Sequence, residues 1–422
     1  MKLPYESDDP SVRYVVGSLI AGVFFGGVGG GVAFPTIPTL GTVLGISPLL
    51  VGIILSINRF TRLLMNTPAG QILDRVGTRR PMIIGFVVQG LVPFGYVLGL
   101  HAHEFGLPNA MVFLFSRATW GIGSAFVFVG AFSTVTQITT EQNRGKWVGY
   151  MRGGQSLGFP TGLVLGGILT AVYGYDVAFI VAGVTASFAA VVAFFVLPDT
   201  QADVSTVSGL RELPNLVTDD LRIFTVGAVN FVVRFLFAGI LLSTVVLYAR
   251  ENGITVSWLS ETGVSGVVMA VSVLFSSLTT IGVGRVSDTL SNRAALTIPS
   301  LTCFAAGFAV LALLPTTLGA VVGVALVGIG VGGTNPPLLA YLGDISPKED
   351  LGKLGGVYNV FGDLGSTVGP LVALPVAART SVATEYLGSV GLIALTATLV
   401  AVTLFERGPL APQTVPRRED GD

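Results

Sequence analysis

Six ionisable side chains fall inside stretches of the chain that are otherwise apolar. They are Arg59, Arg62, Arg117, Arg152, Arg234 and Asp363. A charged side chain at the centre of a membrane costs about 2.5–3.5 kcal/mol on insertion scales, so each of these residues marks a possible functional site. A guanidinium group pairs well with carboxylate or phosphate, and a lone carboxylate can take up and release a proton. These residue types favour anion binding or proton transfer, whereas no Ser–His–Asp arrangement or pair of intramembrane carboxylates suggests hydrolysis.

Polar residues share helical faces with these charges. Asn58, Arg62, Asn66 and Gly70 recur every four residues, while Asn230 aligns with Arg234 and Asn359 with Asp363. Such faces should point to protein or to a water-filled cavity rather than to lipid. Arg152 lies near a helix end and can extend its charge to water. The remaining charges and one amide are candidate substrate or coupling residues, namely Arg59, Arg62, Arg117, Arg234, Asn359 and Asp363. The alternative is structural: Arg59 or Arg62 pairs with Asp363, and Arg117 bonds to backbone carbonyls.

The composition shows which solvent surrounds the chain. Of 422 residues, 51% are hydrophobic and only 11% are charged, where a soluble domain carries about 25% charge. A mean hydropathy of +0.77 argues against a soluble enzyme and excludes a disordered chain. The lone Cys303 excludes a disulfide framework, and we expect neither a metal nor another cofactor. A net charge of −1 gives no indication of a nucleic-acid partner.

Apolar runs long enough to cross a bilayer as helices occur twelve times. Residues 198–220 form the only long polar interruption and predict a linker between an N-terminal bundle over 1–197 and a C-terminal bundle over 221–405, followed by a tail over 406–422. The fold class predicted is therefore all-α and integral to the membrane, with two six-helix bundles. The predicted spans are 14–43, 49–69, 81–101, 109–139, 147–173, 177–197, 221–250, 259–283, 295–315, 318–342, 354–378 and 386–405.

Basic residues predict the orientation of these spans. If the N-terminus is cytoplasmic, sixteen Lys and Arg residues fall in cytoplasmic segments, and only Arg250 and Arg379 fall outside. Basic residues concentrate on the cytoplasmic side of short loops. We therefore expect a multi-pass protein of the cell membrane with both termini in the cytoplasm. The polar, acidic opening MKLPYESDDP does not fit a cleavable signal peptide.

The two halves of the chain repeat each other. A shift of 207 residues places Gly158 on Gly365 and Gly162 on Gly369. A shift of 214 residues places the Gly-x-x-x-Asp-x-x-x-x-Arg pattern that begins at Gly70 on the one that begins at Gly284. Two similar bundles joined by a cytoplasmic linker are the parallel-repeat arrangement of a rocking transporter.

The segment after span two carries the most specific motif. The residues that define it are Gly70, Asp74, Arg75, Gly77, Arg79 and Arg80, and its degenerate copy contains Asp288 and Arg293. This segment is similar to the signature loop G-x-L-x-D-R-x-G-R-R of the major facilitator superfamily, with Ile72 for leucine and Thr78 for the first arginine. The resemblance covers essentially the whole chain. It implies that these residues latch the two bundles together in the outward-open state.

Two further motifs resemble the drug:proton antiporter branch of that superfamily. Arg117 to Gly123 is similar to R-x-x-Q-G-x-G, with Trp120 in place of glutamine. The glycines of span five resemble the antiporter motif, with Leu163 at its proline position, and span eleven repeats part of it. Small residues at such intervals permit close helix packing and bending. The packing residues are Gly158, Gly162, Gly166, Gly167, Gly365, Gly369 and Pro370.

The leading functional hypothesis is a secondary transporter that exchanges a small organic solute for protons by alternating access. It is not an enzyme, its partners are the solute, a coupling proton or cation and the lipid bilayer, and it works as a monomer. The excess of arginine favours an alternative, the uptake or exchange of an organic anion. A hypothesis of another class is a non-transporting membrane receptor or scaffold.

The segment His101-Ala-His103-Glu104 could ligate a metal, but we interpret it as a solvated outer loop without a further ligand nearby.

Overall fold

The structure is a computed structural model that describes residues 10–140, 143–197, 220–255, 260–290, 292–345 and 351–405. The predicted linker, except Asp220, and the tail, from residue 406 on, lie outside these ranges. Within them the chain forms helices connected by short turns, and no β-strand occurs.

Twelve helices in the described ranges are long and apolar enough to cross a membrane. Helix α7 consists of two α-helical parts joined by a π-helical segment, Phe235–Leu241. The helices are α1 Pro10–Val43, α2 Pro48–Val76, α3 Arg79–His101, α4 Asn109–Ile138, α5 Arg144–Tyr173, α6 Tyr175–Val196, α7 Leu221–Glu251, α8 Glu261–Ser287, α9 Thr297–Leu313, α10 Thr317–Ile345, α11 Leu351–Arg379 and α12 Val382–Thr403. The prediction of twelve spans is confirmed.

The largest difference from the predicted spans is at the end of α2. The prediction ends this span at residue 69, but the helix continues through Pro68 to Val76 and ends at Gly77, whose φ is +82°. Glycine adopts this left-handed backbone without a steric penalty. The first part of the signature segment is therefore helical, and only Gly77 and Thr78 separate α2 from α3.

The two halves pack their helices in the same order. In the first half, α1 contacts α5 and α6, α3 contacts α4 and α6, and α2 contacts α4. In the second half, α7 contacts α11 and α12, α9 contacts α10 and α12, and α8 contacts α10. Each pair in one half therefore has its counterpart in the other. The chain forms two pseudo-symmetric six-helix bundles, as the internal repeat predicts.

Glycines set the close approach of helices in both bundles. An added Cβ at Gly158 or Gly162 of α5 would overlap the carbonyl oxygen of Phe24 or Val28 in α1. An added Cβ at Gly365 of α11 would overlap the carbonyl oxygen of Phe231, and Gly369 packs in the same way on Gly239 of α7. The repeat thus preserves a packing requirement, because only glycine allows these backbones to touch.

The boundary between the bundles, α2 with α11 and α5 with α8, is called the seam below. The helix ends that adjoin residues 77–78, 139–143, 288–296 and 346–350 are called the basic end, and the other ends the opposite end. Near the opposite end the seam is closed. An added Cβ at Gly52 of α2 would lie 3.1 Å from the carbonyl carbon of Pro370 in α11, and one at Gly167 of α5 would lie 3.0 Å from Cα of Gly266 in α8.

Towards the basic end the same face of α5 has no close neighbour outside its own helix among the described residues. Gly149 precedes Gly167 by about five helical turns and shares its face. No atom of the described residues lies within 4 Å of an added Cβ at Gly149, and the same holds for Gly153, Gly282 of α8 and Gly356 of α11. The bundles therefore meet at the opposite end and separate towards the basic end.

Candidate substrate and coupling site

The centre of the seam is crossed by an ion pair. Arg62 Nη2 in α2 donates a hydrogen bond to Asp363 Oδ1 in α11 over 2.6 Å. The two side chains retain 23% and 20% of their exposure. Because the seam is closed towards the opposite end, this accessibility comes from the basic end. One residue of each bundle thus contributes to a charged group at mid-membrane depth.

Arg59 adds a second guanidinium to this group. It lies close enough to Arg62, Asp363, Arg234 and Arg117 for electrostatic interaction with each. Its Cζ is 5.7 Å from the ring centre of Phe34 in α1. Among the described residues, this group contains four guanidinium groups and one carboxylate, so positive charge is in excess. Such a surplus attracts anions and electron-rich groups.

Aromatic rings border the same charges. Arg62 Cζ lies 5.4 Å from the ring centre of Phe128 in α4, a cation–π distance. Phe34 faces both Arg59 and Arg117. Sequence reasoning missed Phe34 and Phe128, because an aromatic residue in an apolar helix carries no signal that separates a site from the core. Phe128 is half-buried and can present its ring to a ligand beside the charges, whereas Phe34 is only 3% exposed.

Arg117 of α4 has a different environment. Its side chain is only 1% exposed, and its Nε and Nη2 donate to the carbonyl oxygens of Ile54 and Leu55 in α2, each over 3.3 Å. Nearby, an added Cβ at Gly121 would overlap the carbonyl oxygen of Asn58. Arg117 and Gly121 together fix α4 against α2 beside Arg59 and Arg62. This is the structural alternative named above, and it leaves Arg117 without access to a bound solute.

Arg234 belongs to the second bundle and is half-buried. One turn earlier, Asn230 Nδ2 donates to the carbonyl oxygen of Tyr358 in α11 over 2.7 Å. An added Cβ at Gly362 would meet both Asn230 and Arg234. The π-helical segment begins at the next residue, Phe235, and such segments often mark functional positions. Arg234 thus lies where α7 changes its geometry.

The remaining coupling candidate, Asn359, lies exposed on α11 one turn before Asp363. Its neighbour Tyr358 is buried, and the Tyr358 hydroxyl donates to Asn335 Oδ1 in α10. Asn335 was not among the predicted site residues. Helices α2, α7, α10 and α11 therefore all send polar side chains towards the centre of the molecule.

The signature residues lie at the basic end. Asp74, Arg75 and Arg80 are exposed. Arg79 Nη2 donates to the carbonyl oxygen of Phe194 over 3.0 Å, which ties the start of α3 to the end of α6. Gly70 is buried within α2.

The degenerate copy forms an ion-pair network. Arg293 Nη1 lies 3.4 Å from Asp288 Oδ1, and Arg293 Nε lies 3.2 Å from Asp344 Oδ2 in α10. Asp288 and Arg293 were predicted from the sequence, but Asp344, which lies fifty-one residues after Arg293, was not. In this half, Arg293 contacts both Asp288, at the motif position, and Asp344 of α10.

The predicted outer loop is less isolated than expected. His101 Nδ1 contacts Glu104 Oε1 at 3.0 Å, and His101 Nε2 contacts Asp176 Oδ1 at 2.8 Å. The expectation that no further acidic group lies nearby is therefore wrong, because α6 begins beside the end of α3. Among the described residues, no group of three His, Cys, Asp or Glu side chains is arranged to hold a metal ion.

A second carboxylate also lies inside the folded helices. Glu385 falls one residue before the predicted span 386–405, but α12 begins at Val382, so Glu385 lies in its first turn and is 7% exposed. Glu385 lies at the end of its helix, so it does not alter the interpretation of Asp363 as the deep carboxylate. It is close enough to Glu251, the exposed last residue of α7, for electrostatic repulsion. A boundary error of four residues concealed its burial.

Comparisons with known proteins agree with this architecture. The family model described as Major Facilitator Superfamily matches residues 19–370 and, in a second match, 229–421. A bacterial homologue of the human lysosomal transporter Spinster, in an inward-facing and occupied conformation, superimposes with a TM-score of 0.76 at 13% identity, over 94% of this chain and 97% of that one. That likeness shows the fold.

Several curated relatives are bacterial drug-resistance proteins. Multidrug resistance protein 1 of Bacillus subtilis is 26% identical over 84% of this chain and 87% of its own. The efflux pump PmrA of Streptococcus pneumoniae is 25% identical over 78% of this chain and 79% of its own. The match to multidrug resistance protein 2 of Bacillus subtilis spans about half of each chain, 52% of this one and 54% of that relative. The chain belongs to the Major Facilitator Superfamily and is a multi-pass membrane transporter of small molecules.

Proposed function

We propose that this transporter exports small organic compounds in exchange for protons by alternating access. The observation that carries the proposal is the Arg62–Asp363 ion pair, which joins the two bundles at the centre of the seam. A protonatable group in this position connects proton binding to bundle movement. The drug-resistance relatives support export as the direction of transport.

The ion pair supplies a coupling step. While Asp363 is ionised, its attraction to Arg62 holds α2 against α11. A proton on the Asp363 carboxyl removes the negative charge and weakens this attraction, so the bundles can rock about the seam. Export with proton uptake then follows if the carboxyl is protonated from the outside and deprotonated towards the cytoplasm. Each cycle would return one proton inward for each solute carried outward.

We propose that the basic end faces the cytoplasm, because the concentration of Lys and Arg in its loops follows the positive-inside rule. In this orientation the separated ends open to the cytoplasm, and the closed ends face outward. The structure then corresponds to the inward-open state, ready to take up solute from the cytoplasm. Both termini lie inside the cell, and the path for solute lies within one chain, which favours a functional monomer.

The signature segment would act in the opposite state. Closing the basic end brings Asp74 and its neighbours, from Gly70 to Arg80, towards the second bundle. A carboxylate at the end of a helix is stabilised by a nearby helix N-terminus or by arginine. We propose that Asp74 and the Arg293 network contribute to the latch that holds the outward-open state.

A reconstituted assay tests the coupling proposal. The protein is incorporated into liposomes with an imposed pH gradient, and accumulation of a fluorescent cationic drug is measured. We expect accumulation by the wild type and none by Asp363→Asn. The same variant should still exchange labelled for unlabelled drug when no gradient is present, because this exchange needs no net proton movement. Gradient-driven accumulation by a well-folded Asp363→Asn protein would contradict the proposal.

The arginine surplus supports a second candidate, the transport of an organic anion. Arg59, Arg62 and Arg234 are partly accessible in the centre, whereas only one carboxylate faces them. A thermal-shift screen of the purified protein separates the candidates, because a bound ligand raises the apparent unfolding temperature. Stabilisation by organic anions but not by cationic drugs would favour the second candidate. We expect cationic drugs to raise the unfolding temperature, with or without an effect of organic anions.

A further inference from the structure

A buried carboxylate lies at the opposite end of the second bundle, away from the seam. Glu385, in the first turn of α12, is 7% exposed, and neither of its carboxylate oxygens has a hydrogen-bond partner among the described residues. Most buried polar groups in proteins have such partners. Because both oxygens of this acidic side chain lack a partner, its ionised form is not stabilised by hydrogen bonds.

A second acid lies next to it. Glu251 is the last residue of α7, and its Oε2 accepts a hydrogen bond from the backbone N–H of Val382 over 3.4 Å. Glu251 is exposed and close enough to Glu385 for electrostatic repulsion between the two. One carboxyl of the pair therefore meets the aqueous solution, and the other lies behind it.

Aromatic side chains lie around Tyr386, the residue that follows the inner member of the pair. The ring centres of Tyr248 in α7 and Tyr386 in α12 are 5.5 Å apart, and Phe308 of α9 lies 5.4 Å from Tyr386. Thr244 Oγ1 is 3.2 Å from the Tyr386 hydroxyl, whereas the buried Tyr248 hydroxyl has no hydrogen-bond partner among the described residues. Thr244, Tyr248 and Glu251 follow one another on one face of α7.

No positive charge compensates this pair in the described part of the chain. The ionisable groups in electrostatic contact with Glu385 are Glu251 from α7 and Tyr386 from its own helix. Helix α9 contributes the Phe308 ring. Arg250 instead donates to Thr42 Oγ1 over 3.1 Å, and neither carboxylate oxygen of Glu385 has a partner among the described residues. Burial and a neighbouring carboxylate both disfavour the ionised form.

We propose that Glu385 and Glu251 form a proton-binding site on the outer half of α7 and α12, in which Glu385 holds a proton at neutral pH and exchanges it with solution through Glu251. The protonated carboxyl becomes a hydrogen-bond donor and can serve an oxygen of Glu251 or Tyr248. This site is separate from Asp363, and the proposal does not depend on the direction or substrate of transport.

The position of the site gives proton release a structural consequence. Glu251 adjoins Arg250, whose guanidinium reaches Thr42 of α1 and so links the two bundles at the opposite end. Loss of the Glu385 proton places a second negative charge beside Glu251 and separates the ends of α7 and α12. A proton on Glu385 therefore favours the closed form of the opposite end, and a rise in pH on that side weakens it.

Infrared spectroscopy of the purified wild-type transporter tests the site directly. A protonated carboxylic acid has a C=O stretching band that is distinct from the bands of a carboxylate. We expect one such band in the wild type at neutral pH, its loss in Glu385→Gln, and its retention in Glu104→Gln, which alters an exposed carboxyl at the same end. In Glu251→Gln the band should be lost at lower pH than in the wild type, because removal of the neighbouring negative charge makes ionisation of Glu385 easier. An unchanged titration would show that the two acids are not coupled.

Two results would overturn the proposal. One is a wild-type protein without a protonated carboxyl at any value from about pH 5 to about pH 9, where a buried acid of this kind should titrate. The other is a band that survives in a folded Glu385→Gln protein. If Glu385→Gln fails to fold, the wild-type titration and its displacement in Glu251→Gln decide the question. Activity enters neither readout, so failure of this proposal is distinguishable from failure of proton-coupled export.

Discussion

Arg62 of α2 and Asp363 of α11 are 301 residues apart in the chain and are joined by a hydrogen-bonded ion pair of 2.6 Å. The pair lies between the closed opposite end and the separated basic end. It is the point at which the first bundle holds the second by charge rather than by packing of glycines. Movement of α2 relative to α11 acts directly on this contact. The pair is therefore well placed to couple protonation to bundle movement.

The first prediction concerns the two members of this pair. Asp363→Asn and Arg62→Gln should each lower the unfolding temperature, because each leaves one charge without its partner. The double variant Arg62→Gln, Asp363→Asn should recover at least half of the loss while remaining unable to use a pH gradient. Unfolding temperatures in detergent and gradient-driven accumulation in liposomes are the measurements. Arg152→Gln, at an exposed position on α5, is the control and should resemble the wild type in both.

The second prediction separates Arg117 from Arg234. Arg117 is buried and bonded to two carbonyl groups, so Arg117→Met should reduce the free energy of unfolding, by about 1.5–3 kcal/mol per lost charged hydrogen bond as an upper range. Arg234 is half-buried at the centre, so Arg234→Met should weaken substrate binding with a smaller effect on unfolding. Binding is measured by fluorescence titration and unfolding by thermal denaturation. Equal loss of binding in both variants, with unchanged unfolding, would contradict the structural role of Arg117.

The third prediction uses two glycines of α5 that differ only in their surroundings. Gly162→Ala places a methyl group against the Val28 carbonyl oxygen and should destabilise the protein by about 1–3 kcal/mol. Gly149→Ala meets no described atom within 4 Å and should be neutral or stabilising by up to about 1 kcal/mol, because alanine favours a helix. Denaturation of both variants in the same detergent makes the comparison. A larger loss at Gly149 would mean that the basic end is packed rather than open in the purified protein.

The sequence alone predicted the parts of this fold that depend on local pattern. Hydropathy placed twelve helices, and the repeat of glycines at Gly158 and Gly365 predicted a shared packing arrangement. Hydropathy does not define where a helix ends, since an apolar run and the helix around it need not stop at the same residue. The helix through Val76 and the burial of Glu385 were missed for this reason.

Contacts between distant residues were harder to predict than elements. Sequence reasoning named Arg62, Asp363 and Arg117 but left open whether they bind substrate or one another, because periodicity gives a face and not a partner. Asp344 beside Arg293 and Asp176 beside His101 carry no local signal at all. Each depends on which helices become neighbours, and that information comes only with the folded bundle.

The fourth prediction concerns the latch. Asp74→Asn should reduce transport while leaving expression near normal, because it removes the attraction of this carboxylate to a helix N-terminus in the proposed latch, worth about 0.3–1 kcal/mol when exposed. Asp288→Asn should have a smaller effect, since Arg293 keeps its contact with Asp344. Labelling of single cysteines at the basic end, in a Cys303→Ala background, reports the balance between the two states. If transport is more sensitive to Asp288→Asn than to Asp74→Asn, the prediction that the latch depends mainly on Asp74 is wrong.

The fifth prediction concerns the start of α7, where Asp220 is the N-cap residue. Its carboxylate accepts hydrogen bonds from the backbone N–H of Arg222 over 2.7 Å and from the Arg222 side chain over 2.9 Å. Burial alone would raise the pKa of Asp220, but the hydrogen bonds from Arg222 outweigh it, and the pKa lies below its ordinary value of 3.8. The folded protein thus favours the ionised carboxylate, and the resulting stability is present at neutral pH and lost as the pH falls through the acidic range.

Two substitutions separate the cap from the charge. Asp220→Asn retains a capping side chain and loses the charge, so its stability should approach that of the wild type as the pH is lowered from about 6 towards 3. Asp220→Ala removes both and should cost about 0.5–2 kcal/mol more, with part of the difference remaining at low pH. Thermal denaturation across this pH range measures both. A gap between Asp220→Asn and the wild type that widens on acidification would show that the ion pair does not stabilise the start of α7, because a group with a lowered pKa must lose its contribution in that direction.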